Sequence, residues 1–305
     1  MKISYNWLRD YLDFDAQPDE LSSVLTSLGL EVEDVEEWVS VKGGMKGVVI
    51  GRVLTCERHP DADRLSVTTV DAGGTEPLHI VCGAPNVAAG QVVAVALPGT
   101  MVFHGNEQYE IRKSKIRGQL SEGMICAEDE LGLGADHEGI MVLDSRARIG
   151  MPAAEYFGVT TDTVFEIGLT PNRIDCSSHF GVARDLAAFY NLQRPVRAKL
   201  PEIYGFRKER DRGVIKVTVE APDACIRYSG LTVRGIRVGP SPAWLQTRLR
   251  AIGLNPINNV VDITNFVLHE TGQPLHAFDA AAVTGDTVRV RHLPDKTKFV
   301  TLDGV

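Results

Sequence analysis

Apolar positions near the start of the chain recur three and four apart: Trp7, Leu8, Tyr11 and Leu12, then Leu21, Val24, Leu25 and Leu28. That is the helical period. Pro18 breaks the run, Asp19-Glu20 suits the first turn of a second helix, and Gly29 ends it. Residues 32–39 then read as a strand. Between 45 and 150 the pattern changes to short β-rich runs at 47–54, 65–70, 78–81, 92–97 and 139–143. Turn signals such as Ala72-Gly73-Gly74 and Pro98-Gly99 separate them. Strands at this spacing predict a small closed barrel or sandwich. From 160 the mixed pattern returns, with a strand at 163–169, a turn at Pro171-Asn172-Arg173 and a helix at 181–192 whose Val182, Leu186, Phe189 and Tyr190 share one face. The β-rich block is therefore expected to be an insertion into a first α/β unit. Residues 195–212 form a charged, proline-containing connector. Beyond it the pattern predicts strands at 214–219 and 228–233. A helix at 242–252 follows, with Ser241 as cap and Pro242 as first residue, and then a second amphipathic run at 258–268. Residues 298–302 read as a strand and Asp303-Gly304 as a hairpin turn with no returning strand, so the chain is expected to be cut inside a domain.

These elements predict an α+β multidomain chain. A five-stranded closed β-barrel or sandwich at 41–150 is inserted into a small α/β domain made of 1–40 and 151–200. An incomplete α/β domain at 201–305 follows. The length of 305 residues agrees with two or three domains. With 44% hydrophobic and 24% charged residues the composition is that of a soluble globular protein. No apolar run reaches the ~18 residues of a membrane helix, and Met1-Lys2-Ile3-Ser4-Tyr5 has none of the features of a secretory signal. The expected location is the cytoplasm, with no membrane partner. The five cysteines are scattered, which suits reduced thiols better than a disulfide framework. A net charge of −8 argues against a generic nucleic-acid binder, so any RNA contact must be local or shape-led, and no DNA partner is expected.

Cys56, His59, His79 and Cys82 form a C-x₂-H…H-x₂-C arrangement with zinc-type ligands. The competing reading is stronger. Residues 78–81 read as a strand, where positions three apart face opposite sides, and no turn residue separates His79 from Cys82. The expectation is no metal. No P-loop, no G-x-G-x-x-G and no G-x-S-x-G elbow occurs. Arg112-Lys113-Ser114-Lys115, with Arg117 behind it, is the densest basic strip in an acidic block, and RNA contact is favoured slightly over an ordinary solvated strand end.

Three stretches of the β-rich block carry a resemblance. They are His59-Pro60-Asp61-Ala62-Asp63-Arg64-Leu65, then Ile80-Val81-Cys82-Gly83-Ala84-Pro85-Asn86-Val87, then Lys115-Ile116-Arg117-Gly118 running into Ser121-Glu122-Gly123-Met124-Ile125-Cys126. Together they closely resemble the tRNA-binding OB-fold of several synthetases and synthetase cofactors, over about a third of the chain. Such a barrel binds single-stranded nucleic acid on one face. Lys113, Lys115 and Arg117 are the candidate phosphate contacts, and Asn86 and Ser121 the candidate hydrogen-bonding groups. Only Phe103 and Tyr109 are available nearby for stacking. A second set comprises Pro171-Asn172-Arg173 with Asp175-Cys176, Asn259-Val260-Val261-Asp262-Ile263-Thr264-Asn265-Phe266, and Gly272-Gln273-Pro274-Leu275-His276-Ala277-Phe278-Asp279. Taken with Trp7-Leu8 and Gly29-Leu30-Glu31-Val32-Glu33, the chain resembles, end to end, the N-terminal part of the β subunit of bacterial phenylalanyl-tRNA synthetase.

The resemblance implies a heterotetramer of two α and two β subunits with the aminoacylation site on α. This chain would then hold no cofactor, and ATP and Mg would belong to the whole enzyme. Its partners would be tRNA(Phe) and the α subunit. Residues from about 210 resemble the first half of the domain that hydrolyses tyrosine wrongly attached to tRNA(Phe). Such editing has a physical origin: a hydrophobic pocket rejects an added hydroxyl by only ~10²-fold. On the matching positions His276 corresponds to the editing-site histidine, which orients the ester end of the tRNA or the attacking water. Asp262 and Asn265 are candidates for the pocket wall. For Asp262, capping chemistry weighs equally, and for His276 the alternative is a satisfied core histidine. The rest of the pocket is expected past Val305, so the chain alone is expected to have negligible deacylase activity. Two rival readings remain: a free-standing tRNA-binding OB module without editing, and a structural piece that only holds α.

Overall fold

The computed structural model describes residues 1–104, 107–134, 136–207 and 213–298. The predicted strand at 298–302, the turn at 303–304 and the end of the connector near 212 lie at or beyond those limits. Along the chain the helices are α1 (Tyr5–Leu8), α2 (Pro18–Ser27), α3 (Ala153–Tyr156), α4 (His179–Tyr190), α5 (Ala243–Ala251) and α6 (Asn259–Thr271). The described residues fall into two compact units. One comprises Lys2–Asn6 with Val32–Ile167, the other Trp7–Glu31 with the described residues from Gly168 on.

The first unit holds β1 (Lys2–Ser4), β2 (Glu31–Val39), β3 (Val48–Arg58), β4 (Ser66–Asp71), β5 (Leu78–Cys82), β6 (Val92–Ala96), β7 (Met101–His104), β8 (Glu107–Glu110), β9 (Ser114–Ile116), β10 (Gln119–Ser121), β11 (Met124–Ile125) and β12 (Thr161–Gly168). A five-stranded antiparallel sheet runs β11-β6-β3-β4-β5. Strand β3 makes it curl. Its first half pairs with β6 and its second with β4, and the register slips between Val53 and Thr55. A bulge there bends the strand around the barrel. Closure comes from the far edge: Glu122 N–H donates to His79 O (2.7 Å) and Val81 N–H to Ser121 Oγ (3.1 Å). The result is a nearly closed five-stranded barrel.

Strand β6 is buried at every residue. Val93 and Val95 join Val53, Val70, Ile80 and Ile125 in one core, while Val92, Ala94 and Ala96 join Val48, Ile50, Ile111 and Leu131 in a second. That continuous apolar run is what a strand covered on both faces requires. β1, β12 and β2 form a separate three-stranded sheet in that order.

In the other unit Pro18 is the first residue of α2, a position where its missing N–H costs nothing. β13 (Lys216–Val219) and β14 (Thr287–Val290) pair in parallel. Three predicted elements differ. Residues 139–143 make one isolated bridge, Val93↔Val142, because the backbone N–H and C=O of Ile140 are taken by the Asn86 side chain. Residues 228–233 form no strand; Leu231 and Val233 stand 72% and 59% exposed, and no neighbouring strand among the described residues offers them a ladder. Ser241 does not cap α5. Its hydroxyl is committed to Asp262, and Pro242 takes the cap position with no side-chain bond.

Candidate functional site

On the barrel, β9 and β10 form a hairpin in which Ile116 faces Gln119 and the two residues between are Arg117 and Gly118. Both have positive φ, +46° and +87°. This is the primed turn that matches strand twist, and it places an arginine at the tip. Lys115 and Arg117 are exposed, and no ion pair among the described residues engages either. The other two cations of the strip are held: Arg112 by Glu110 at 2.6 Å and Lys113 by Glu122 at 3.0 Å. The Lys113 hydrogen bond, then the His79 N–H, holds the Glu122 carboxyl below its usual range. The two hydrogen-bonding candidates are also committed. Asn86 clamps the Ile140 main chain through both amide atoms, 2.9 Å each, and Ser121, 3% exposed, closes the barrel.

A buried histidine latches this hairpin. The His59 Nδ1 accepts from Asp61 N–H (3.0 Å), which leaves Nε2–H to donate to Ile116 O (3.2 Å). Both ring nitrogens are therefore occupied, Cys56 Sγ points to Val87 O, and the four residues of the zinc-type spacing do not converge. Beside the hairpin lies a groove of about 620 Å³ whose lining includes Glu110, Glu130 and Glu138 together with Arg112 and His137. Residues 48–152 contain nine Lys and Arg against fourteen Asp and Glu. The exposed cations at the hairpin tip stand out against that acidic balance.

In the other unit, Asn258 caps α6 by accepting from the N–H groups of Val260 and Val261, 3.0 Å each. Asp262 is fully buried. One carboxylate oxygen accepts the Ser241 hydroxyl and the other the Ile257 N–H at 2.8 Å. Its contacts are thus those of a brace between α6 and the segment before α5. Asn265, one turn on, is half-buried. His276 is exposed in the loop after α6, with its ring 6.5 Å from that of Phe278. No hydrogen bond joins His276 to Asp262 or Asn265.

One constellation of polar and aromatic groups in this unit was invisible to spacing. Trp7, fully buried, stacks on His179 at 4.0 Å and on Phe266 of α6 at 4.7 Å, and the Arg248 guanidinium sits over its ring at 5.7 Å. Trp7 Nε1–H donates to Tyr11 Oη, whose own O–H goes to Glu270 at 2.9 Å. His179 Nδ1–H donates to the His269 carbonyl at 2.9 Å, and burial pushes its pKa down to about 3, so the ring is neutral. Arg173 ties α2 to α4: it reaches Leu28 O (3.0 Å), Asp175 (3.1 Å) and Asp185 (2.8 Å). Among the described residues Asp175, Cys176 and Asp185 are the group with metal-ligand spacing, and the Arg173 guanidinium already fills it. Burial first, then the Asp175 hydrogen bond, pushes the Cys176 thiol up to about 12.

Comparison with known proteins agrees with this division. Residues 48–152 match the family described as "Putative tRNA binding domain", and residues 224–305 match the "B3/4 domain". Over 100% of its length the chain is 55% identical to the phenylalanine–tRNA ligase beta subunit of Bacteroides thetaiotaomicron and 56% identical to that of Porphyromonas gingivalis, and it covers 37% of each. The beta subunit of Salinibacter ruber is 48% identical, again over 100% of this chain and 37% of the relative. The chain therefore spans little more than a third of these relatives, in their N-terminal part. No helix among the described residues is long and apolar enough to cross a membrane.

Proposed function

We propose that this chain, which belongs over its whole length to the N-terminal part of the phenylalanine–tRNA ligase β-subunit family, binds tRNA(Phe) through its barrel and supplies part of the site that hydrolyses tyrosyl-tRNA(Phe). Aminoacylation, with ATP and Mg, is the work of the whole enzyme: a cytoplasmic heterotetramer in which the α subunit carries that reaction. The barrel at 41–150 is an insertion into the α/β domain of 1–40 and 151–200, and 201–305 begins the editing domain. What supports the reading is that one matched family covers the hairpin with exposed Lys115 and Arg117, and the other covers the exposed His276. A free-standing tRNA-binding module is disfavoured, because it leaves the similarity beyond residue 152 without a role.

For RNA, Lys115 and Arg117 carry the phosphate contacts, while Asn86 and Ser121 contribute by shaping the barrel. Lys113 is a reserve cation neutralised by Glu122. Removing that neutralisation with Glu122→Gln is expected to raise tRNA affinity several-fold and to steepen the slope of log K against log salt by about one. Lys115→Ala with Arg117→Ala is expected to flatten the slope by about two. A filter-binding salt titration that shows neither change removes the hairpin from the interface.

For editing, His276 orients the ester end or the attacking water, and Asn265 belongs to the pocket wall. In the enzyme assembled from full-length β and α subunits, His276→Ala is expected to slow tyrosyl-tRNA(Phe) hydrolysis roughly 10- to 100-fold. Phenylalanyl-tRNA formation should stay within about twofold. The 305-residue chain by itself is expected to deacylate negligibly. Unchanged hydrolysis in His276→Ala would refute the editing assignment.

A further inference from the structure

We propose that His179 is a positioning residue for the His276 loop: its buried imidazole fixes the last turn of α6 and thereby sets where His276 stands. The inference rests on the editing role given above to His276. The last carbonyls of a helix have no partner within it. On α6, Gly272 N–H returns to Leu268 O at 2.8 Å, and the next carbonyl, His269 O, is served by His179 Nδ1–H from the first turn of α4. The same turn is held at Glu270 by the Tyr11 hydroxyl, and the turn before it at Phe266 by the ring of Trp7, on which His179 is itself stacked. Gly272 then turns the chain out of the helix at φ +78°, beside Ser177 and Ser178.

Little slack separates this anchor from His276. The chain runs Gln273-Pro274-Leu275, with φ fixed at the proline and the Gln273 N–H bonded to Thr271 Oγ1 at 3.3 Å. A shift in the last turn of α6 is therefore passed to the histidine. His179 is 0% exposed and neutral, so the donor that holds the carbonyl is present at every pH where the protein is folded near neutrality.

The test uses the assembled enzyme. His179→Phe keeps a ring against Trp7 and removes the donor; His179→Asn keeps a donor and loses the ring. His179→Phe is expected to lower kcat for tyrosyl-tRNA(Phe) hydrolysis about tenfold with KM and phenylalanyl-tRNA formation unchanged. His179→Asn is expected to recover most of that loss. In a His276→Ala background His179→Phe should cause no further fall, whereas a general loss of structure lowers both backgrounds alike. An equal proportional loss in both, a parallel loss of aminoacylation, or wild-type behaviour of His179→Phe would each overturn the proposal. If His276→Ala leaves hydrolysis unchanged, the editing role of His276 fails instead. Amide exchange at Gly272 and Leu275 then decides the positioning claim: faster exchange in His179→Phe supports it and unchanged exchange ends it.

Discussion

Replacing Trp7 with alanine is expected to cost about 3–5 kcal/mol, the range for deleting a large, fully buried aromatic side chain. The indole is 0% exposed and has a partner on each side: the imidazole of His179, the ring of Phe266 and the guanidinium of Arg248. These come from different segments, so no single element can relax to fill the hole. Arg248 makes matters worse. It is held at one end by Asp10 and already has a buried nitrogen, Nη1, without a hydrogen-bond partner; the indole face is part of its surroundings. Trp7→Phe keeps most of the apolar surface and loses the N–H to Tyr11, and is expected to cost about 1 kcal/mol. The chain has two compact units, so a global melt would mix their transitions. Amide exchange of α4 and α6 reads the unit that contains Trp7. Protection there falling by less than a factor of ten in Trp7→Ala would show that the stack is not what holds the two helices.

The barrel was legible because its signals are local. Alternating runs, Gly-containing turns and the insertion of β-rich character between helical stretches placed β3 to β6 to within a few residues. The Trp7 stack was not legible, because Trp7, His179, Arg248 and Phe266 come from four separated stretches, and nothing in the period of any one stretch says which face meets which. Strand 228–233 fails for the opposite reason. Its alternation is real, but a strand is a property of two segments, and the described residues supply no second one. The candidate RNA contacts divide along the same line. Charge and exposure of Lys115 and Arg117 follow from the sequence alone. The internal bonding that absorbs Asn86 and Ser121 depends on Ile140 and Val81, more than thirty residues away in each case.

Asp262 poses the sharper question of whether a carboxylate inside a matched motif acts on substrate or on its own fold, and substitution separates the two. Asp262→Ala strips the acceptor from the Ser241 hydroxyl and from the Ile257 N–H, both in a region where water does not reach the carboxylate. Two donors left unpaired at about 1–3 kcal/mol each predict a loss of about 2–6 kcal/mol. Asp262→Asn has the same shape. Its carbonyl oxygen still accepts from Ile257, and the Ser241 hydroxyl can rotate to accept from the new amide, so the expected cost is about 1 kcal/mol. A bracing role therefore predicts that Asn retains tyrosyl-tRNA(Phe) hydrolysis within a few-fold, while Ala loses stability and hydrolysis together. A general base or a substrate ligand predicts the reverse for Asn: a folded protein without activity, since an amide cannot take a proton. The Ser241→Ala/Asp262→Ala double variant adds a check. Removing both partners takes away one of the stranded donors, so the double should be less destabilised than the sum of the singles. Strict additivity, or a stable and inactive Asp262→Asn enzyme, would return Asp262 to the reaction.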